Sequence, residues 1–349
     1  MNVNLRPNRP ATRTVFLFLL LLASLAPDQG YCQDTLQSGS FLRIDVENDA
    51  FQMRPKNISD RYYTGGLRLT YLSNYWHRWP TRHALIRITP KPGRTYGYLY
   101  DLTVGQEIYT PRNTKIARRP LYPNDRPYAG YLYLSWGVVT TDVTGARRLN
   151  SNLIIGAIGR VSGAAEVQGL LHDVLGQTPS AGWGAQLKNA LAISYYVKYE
   201  GRLVPRFSPA FDILGHVEGN IGSLSNFAGT GGTLRIGLFN DYFLNATELY
   251  DPNAGLTRRK FQCYAFVGAS FRAVADNALL QGGLLHGQDN YYALPAVEMK
   301  HFYGQTSIGG VIAYKNARLT FTQYLRTAEF VDALDDQWGQ VSLLFKIGR

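Results

Sequence analysis

The chain contains few of the residues and motifs on which common hydrolases and nucleotide enzymes depend. Cysteine occurs twice in 349 residues, as Cys32 and Cys263. The sequence has no Gly-x-Ser-x-Gly elbow, no His-Glu-x-x-His pair, no Cys-x-x-Cys pair and no P-loop. Nucleophile-elbow hydrolases, zincins and nucleoside triphosphatases therefore lack support.

Long apolar runs are also missing, apart from one near the N-terminus. VFLFLLLLASLA (15–26) follows three arginines and is too short to span a bilayer comfortably. We interpret residues 1–32 as a signal peptide, with cleavage expected after Cys32, and residues 33–349 as one exported domain. Cys263 would then be the single thiol, packed or lipid-facing within an apolar strand.

Charged residues are scarce, and basic ones outnumber acidic ones. They make up 17% of the chain, with a formal net charge of +11, whereas aromatic residues reach 13%. This composition is typical neither of a disordered chain nor of a helical bundle. An exported basic protein could meet anionic lipid, lipopolysaccharide or an acidic polymer, and ordinary solubility is the equally weighted alternative.

Period-2 alternation of apolar and polar residues runs through most of the chain. In FLRIDVE (41–47), leucine, isoleucine and valine alternate with arginine, aspartate and glutamate. The strands are long and their polar faces carry charges, which favours an all-β transmembrane barrel over a soluble sandwich. We predict a twelve-stranded antiparallel barrel with strands at 40–50, 62–74, 94–108, 128–143, 146–160, 187–202, 205–221, 230–240, 260–274, 300–315, 317–329 and 338–347.

An even number of strands places both chain ends at one rim, the periplasmic one. The long loops then fall on the outer rim, at 51–61, 109–127, 161–186, 222–229, 275–299 and 330–337. Two connections on the periplasmic side, near 75–93 and 241–259, are longer than such barrels usually have.

Four polar clusters are predicted to gather on the outer rim. They are Asn48 with Asp49, Tyr63 with Thr64, a basic loop holding Lys115, Arg118 and Arg119, and a short helix at 165–176 with Gln168 and His172 one turn apart. Each has an ordinary structural interpretation: a turn, strand packing, solvated surface and a structural histidine. Together, a histidine without an obvious serine partner and asparagine and aspartate oxygens suit Ca²⁺ and a water nucleophile.

Several segments resemble the lipid A 3′-O-deacylases of the LpxR family. They are VENDAF, DRYYTGGLRLTY, GQEIYTP, DRPYAGYLYL, AEVQGLLHDVLG followed by GWGAQL, and SPAFDILG, spread from about residue 40 to 220. The resemblance implies a Ca²⁺-dependent barrel enzyme of the Gram-negative outer membrane. It would hydrolyse ester-linked acyl chains at the 3′ position of lipid A in lipopolysaccharide. We also expect a monomer that binds no nucleic acid.

The resemblance also implies roles for individual residues. His172 matches the catalytic histidine, Gln168 and Thr64 match catalytic-site residues, and Asn48 and Asp49 match the polar pair beside the metal. Lys115, Arg118 and Arg119 are expected to bind substrate anions. The family can carry a glutamate six residues after the histidine, and this chain has Thr178 there, with Asp173 as a possible substitute.

Two other functions remain open at this stage. An outer-membrane phospholipase would also use a barrel, histidine and Ca²⁺, but it needs a serine nucleophile, for which Ser162 is the nearest candidate. A porin or a non-catalytic structural barrel is the second alternative.

Overall fold

The computed structural model describes residues 39–52, 61–78, 83–114, 125–175, 178, 180–206, 208–249, 259–283, 290 and 292–348. The proposed signal peptide and three of the predicted substrate-binding residues, Lys115, Arg118 and Arg119, lie outside the described residues.

Among the residues that the structure describes, twelve strands form a closed barrel, in agreement with the sequence prediction. Their bounds are β1 Ser40–Asn48, β2 Tyr62–Ser73, β3 Tyr96–Thr110, β4 Ala129–Asp142, β5 Arg147–Ile158, β6 Ala190–Arg202, β7 Phe211–Gly222, β8 Ser225–Leu238, β9 Phe261–Asn277, β10 Phe302–Tyr314, β11 Ala317–Arg326 and β12 Asp336–Lys346. Each strand pairs antiparallel with its sequence neighbours, and β1 pairs with β12 to close the barrel.

The barrel wall follows the predicted alternation, with apolar side chains outside and polar side chains inside. On β1, Val46 is exposed whereas Asp45 and Glu47 are buried in the lumen. Apolar side chains remain exposed all around the wall, among them Leu67, Leu69, Val104, Ile155, Leu191, Ile193, Val267 and Ile308. An apolar exterior around a polar interior is the pattern of a membrane-spanning barrel.

In the described part of the chain, two α-helices lie outside the wall strands, α1 at Ala164–Leu175 and α2 at Ala278–Gln281. The first agrees closely with the predicted helix at 165–176. Among the described residues, no helix has the length and apolar character needed to cross a membrane.

The predicted loop at 222–229 is wrong, because β7 and β8 are joined by only two residues, 223 and 224. Side-chain amides hold this hairpin closed. Asn220 donates to the main-chain oxygen of Ser225 at 2.5 Å, and the Gly222 amide donates to Asn226 at 2.9 Å. The polar run that resembles a loop in the sequence is therefore the start of a strand.

The two long connections at the rim carrying Ser40 and Lys346, here called the terminal rim, pack on opposite faces of the barrel wall. From the first connection, Leu85 packs on Tyr100 and Val138, which share the outward parity of the exposed Val104 and Leu134, so this segment covers the outer face of the wall. From the second connection, Leu249 is buried beside Phe41 and Leu344. We call the second segment, 239–249, the inner plug. Packing against the wall, outside for the first connection and inside for the second, explains the length of both.

Ion pairs bind the inner plug to the wall. Glu248 lies 3.1 Å from Arg235 and 3.3 Å from Arg318. Burial alone would raise the pKa of Glu248, but Arg235, Arg318 and Arg148 together lower it, so the carboxylate stays ionised.

Aromatic rings occupy the lumen near the opposite rim. Tyr63 packs against Tyr109 and Trp338, with ring centroids 5.2 and 5.1 Å away, and Trp338 stacks on Tyr324 at 5.0 Å. A cavity of about 350 Å³ lined by polar groups such as Arg68 lies within the lumen. The lumen is therefore a packed interior rather than a wide channel.

Candidate active site

The described members of the predicted polar clusters lie at the rim opposite the terminal rim, here called the site rim. β1 and β3 end there, β2 begins there, and α1 connects β5 to β6 on the same side. The strand parity argument thus placed Asn48, Asp49, Thr64, Gln168 and His172 correctly.

The helix α1 packs on the outer face of the barrel wall and not in the lumen. On β4, Gly130 shares the parity of Leu132 and Leu134, which are exposed to the outside. A Cβ at Gly130 would collide with Ser162 and Ala164, so the start of α1 packs directly on this outer face. On β3, Gln106 has the outward parity of the exposed Val104 and donates to the main-chain oxygen of Ser162 at 2.6 Å.

This geometry corrects one expectation about the helix. The sequence predicts that the apolar residues around Gln168 and His172, such as Leu170 and Leu171, seat this helix over the barrel mouth. Instead they are 64% and 47% exposed, whereas Gln168 and His172 are 2% and 4% exposed. The polar pair therefore faces the protein, because α1 uses its face of Ala164, Gln168 and His172 for packing.

The first half of the candidate site joins the ends of β1, β2 and β3. Asn48 donates from Nδ2 to the main-chain oxygen of Thr64 at 3.1 Å and accepts at Oδ1 from the Ala50 amide at 2.7 Å. The hydroxyl oxygens of Thr64 and Thr110 are 2.7 Å apart. These bonds fix the amide of Asn48 and the hydroxyls of Thr64 and Thr110 at one corner of the rim, next in sequence to the buried Asp49.

A β-bulge positions Thr64. Tyr63 pairs with Tyr109 and Gly65 pairs with Ile108, so Thr64 is the extra residue between them. Tyr63 points into the lumen, where its hydroxyl reaches Glu47. Because Thr64 is an extra residue, the inside–outside alternation of β2 shifts by one residue after it. Gly65 is needed here, because a Cβ would lie 2.9 Å from the main-chain oxygen of Glu47.

The second half of the candidate site is α1 with the residues that support it. Nδ1 of His172 lies 3.0 Å from the main-chain oxygen of Thr178. Because a carbonyl oxygen only accepts, Nδ1 carries the proton and Nε2 is the basic nitrogen of the neutral ring. Thr178, at the position where the family can carry a glutamate, thus contributes a main-chain oxygen. The side chain of Asp173, the other candidate carboxylate, is exposed.

Trp183 is a site residue that sequence reasoning missed. Its indole donates to Oε1 of Gln168 at 2.7 Å, and its ring packs on Tyr128 at a centroid distance of 5.0 Å. Since an indole only donates, it holds the oxygen of Gln168 toward itself and turns Nε2 the other way. The signal was the GWGAQL segment, which was noticed as a motif but given no role.

Arg126, in the DRPYAG motif, was also missed. It is 1% exposed, lies 4.1 Å above the ring of Tyr109, and pairs with Glu329 at 3.2 Å. Burial would raise the pKa of Glu329, but Arg326 and Arg126 lower it below the ordinary value. Arg126 therefore ties the β3–β4 connection, next to the site, to the β11–β12 connection.

The donors at this corner are suited to a hard cation rather than to a transition metal. Within the described part of the chain, no three His, Cys, Asp or Glu side chains form a group that could hold a metal. A cation at the corner would instead need amide, main-chain and hydroxyl oxygens with one carboxylate, that of Asp49. Oxygen-rich sets of this kind are compatible with Ca²⁺.

The fold and site define an integral membrane barrel whose candidate site lies on the outside of its wall. The chain belongs to the LpxR family, since the family model described as "Outer membrane protein LpxR" matches residues 15–347. It is therefore an outer-membrane protein.

One of the matching solved structures supports the fold. LpxR from Salmonella typhimurium is 20% identical, with a TM-score of 0.68, over 88% of this chain and 100% of that one. The β domain of the Bordetella autotransporter BrkA is 12% identical, with a TM-score of 0.41, over 88% and 99% of the chains. The comparison with curated proteins returned no match.

Proposed function

We propose that this protein is a Ca²⁺-dependent esterase that removes 3′-linked acyl chains from lipid A. The observation that carries the proposal is the burial of Gln168 and His172 between α1 and the lipid-facing side of the wall. A site in this place is reached from the membrane, where lipid A resides, without passage through the lumen.

In this proposal His172 is the general base. Its Nδ1–H is held by the main-chain oxygen of Thr178, which orients the ring and makes Nε2 the nitrogen that accepts a proton from water. The water oxygen attacks the ester carbonyl as its proton moves to Nε2, and His172 later returns the proton to the leaving alkoxide. Thr178 thus fixes the tautomer that this step needs.

Gln168 and Thr64 would stabilise the charge that develops on the ester oxygen. Trp183 holds Oε1 of Gln168, so the donor group Nε2 is turned away from the indole. The hydroxyl of Thr64 is held by Thr110 at the neighbouring strand end. Donors fixed before the reaction are effective because they need no reorganisation in the transition state.

Asp49 and Asn48 would hold Ca²⁺, which when bound polarises the ester carbonyl. Lys115, Arg118 and Arg119 would bind the phosphates of lipid A, since guanidinium and ammonium groups recognise phosphate strongly.

The test is mass spectrometry of lipid A from a Gram-negative host that expresses the chain. We expect loss of a 3′-linked acyl chain, and we expect His172→Ala to abolish it. His301→Ala is the matched control, because His301 also contacts a main-chain oxygen, that of Val274, but lies away from α1. Unchanged lipid A with a folded barrel and added Ca²⁺ would refute the activity.

The two alternative functions find less support. Ser162, the candidate nucleophile of a phospholipase, is buried, and its hydroxyl donates to the main-chain oxygen of Gly159 at 2.6 Å. A porin needs an open lumen, whereas aromatic rings and the inner plug occupy this one. Acyl release from phospholipid, or conductance steps in planar bilayers without esterase activity, would restore these alternatives.

A further inference from the structure

The exposed surface of α1 has two chemically different sides. Successive residues of an α-helix are turned by about 100°, so the exposed Leu171, Val167 and Leu170 follow one another along one side of the helix axis. The exposed Glu166 and Asp173 come next round the axis, about 40° and 60° beyond Leu170. We call the first set, together with Val161 in the preceding turn, the apolar flank of α1.

The apolar flank is continuous with the membrane-facing wall. The start of α1 rests on Gly130, and the next two outward residues of the same strand are the exposed Leu132 and Leu134. Val161, which is 58% exposed, belongs to the turn that leads from β5 into this contact. The flank therefore extends the apolar surface of the wall toward the site rim.

A helix with one apolar side and one acidic side is suited to the boundary between acyl chains and water. The three apolar side chains of the helix are exposed side by side and form one apolar patch. Beside a wall that already faces lipid, the same patch needs no protein partner. The charges of Glu166 and Asp173 also oppose burial of the whole helix.

We propose that the apolar flank of α1 is inserted among the acyl chains of the leaflet that borders the site rim, with Glu166 and Asp173 facing water and headgroups. The occupant of the flank is membrane lipid. This placement does not rest on the proposed function, although that function would gain from it. It would set Gln168 and His172 at the depth where acyl chains meet their ester groups.

The test is spin-label accessibility in lipid vesicles, with the full chain carrying Cys32→Ser and Cys263→Ser. Labels are attached to Val167→Cys and Leu170→Cys on the flank, and to Glu166→Cys and Asp173→Cys on the acidic side. Leu134→Cys on the wall and Asn316→Cys in the β10–β11 turn serve as lipid and water references. Oxygen reports exposure to lipid, and a water-soluble nickel chelate reports exposure to water.

We expect the oxygen-to-nickel accessibility ratio on the flank to approach that of Leu134→Cys, and the ratio on the acidic side to approach that of Asn316→Cys. Equal ratios on both sides of α1 would overturn the proposal. Dipolar broadening at the flank that disappears on dilution with unlabelled protein would also overturn it, because the occupant would then be a second copy of the chain. Deacylation is not part of the readout, so a failure of the proposed function is detected separately.

Discussion

Replacement of Trp183 by phenylalanine tests how the site orients Gln168. The phenyl ring can keep the packing on Tyr128, but the bond from the indole to Oε1 of Gln168, 2.7 Å long, is lost. A hydrogen bond of this kind contributes about 1 kcal/mol, which corresponds to roughly a fivefold preference for one orientation of the amide. We therefore expect Trp183→Phe to lower kcat by about fivefold and to leave KM nearly unchanged.

A double-mutant cycle separates this role from a general loss of packing. Gln168→Ala removes the proposed oxyanion donor itself, for which a loss of about 10²–10³ in kcat is expected. In the Gln168→Ala background, Trp183→Phe should have no further effect, because the group that it orients is absent. Steady-state deacylation of purified lipid A in detergent gives the four rates. If Trp183→Phe lowers kcat equally in both backgrounds, the positioning argument is wrong.

Three further substitutions test other parts of the structure. Gly130→Val should displace the start of α1 and abolish deacylation while the barrel still folds. Gly169→Ala is the control, because it adds a methyl group to α1 in open space. For both variants, deacylation is measured, and folding is followed by heat-modifiable mobility on gels. Arg126→Met should destabilise the fold by about 3 kcal/mol in urea titrations at pH 7, because it removes one partner of a buried ion pair. Because the pKa of Glu329 is lowered in the folded state, its ion pairs stabilise the fold fully above the ordinary carboxyl pKa of about 4. This stabilisation is lost as the pH falls through the folded-state pKa. The difference in stability between Arg126→Met and the unaltered protein should therefore shrink in acid. Asp49→Asn should weaken Ca²⁺ binding in calorimetry without a change in strand content, and an unchanged affinity would remove Asp49 from the proposed cation site.

The strands could be predicted from the sequence because alternation in a barrel wall is a local property. Each long segment carries its own inside and outside pattern, as on β1, where Val46 is exposed and Asp45 is buried. The turn between β7 and β8 was missed because Asn220 and Asn226 close it with side-chain bonds, and polar residues of this type are equally common in loops. The inner plug was missed because its burial depends on residues distant in sequence, such as Arg235 with Glu248.

Some features of the candidate site could likewise be predicted from the sequence, and others could not. The positions of Asn48, Thr64, Gln168 and His172 at one rim follow from strand counting and could be predicted. The side of the wall on which α1 lies could not, because it depends on the close approach of Ala164 to Gly130. Trp183 acts through Gln168, which is fifteen residues away, and no pattern in the sequence joins the two side chains.

The direction of α1 follows from the solvent that surrounds the barrel. In water, an amphipathic helix buries its apolar side, and that rule led to the wrong expectation for Leu170 and Leu171. On the outside of a membrane barrel the apolar side can remain exposed, and the polar side is free to pack inward. The arrangement lets one short helix bury His172 against the wall and still present Leu170 to its surroundings. A lumen filled by Tyr63, Trp338 and the inner plug is consistent with this, since a site on the outside of the wall needs no passage through the barrel.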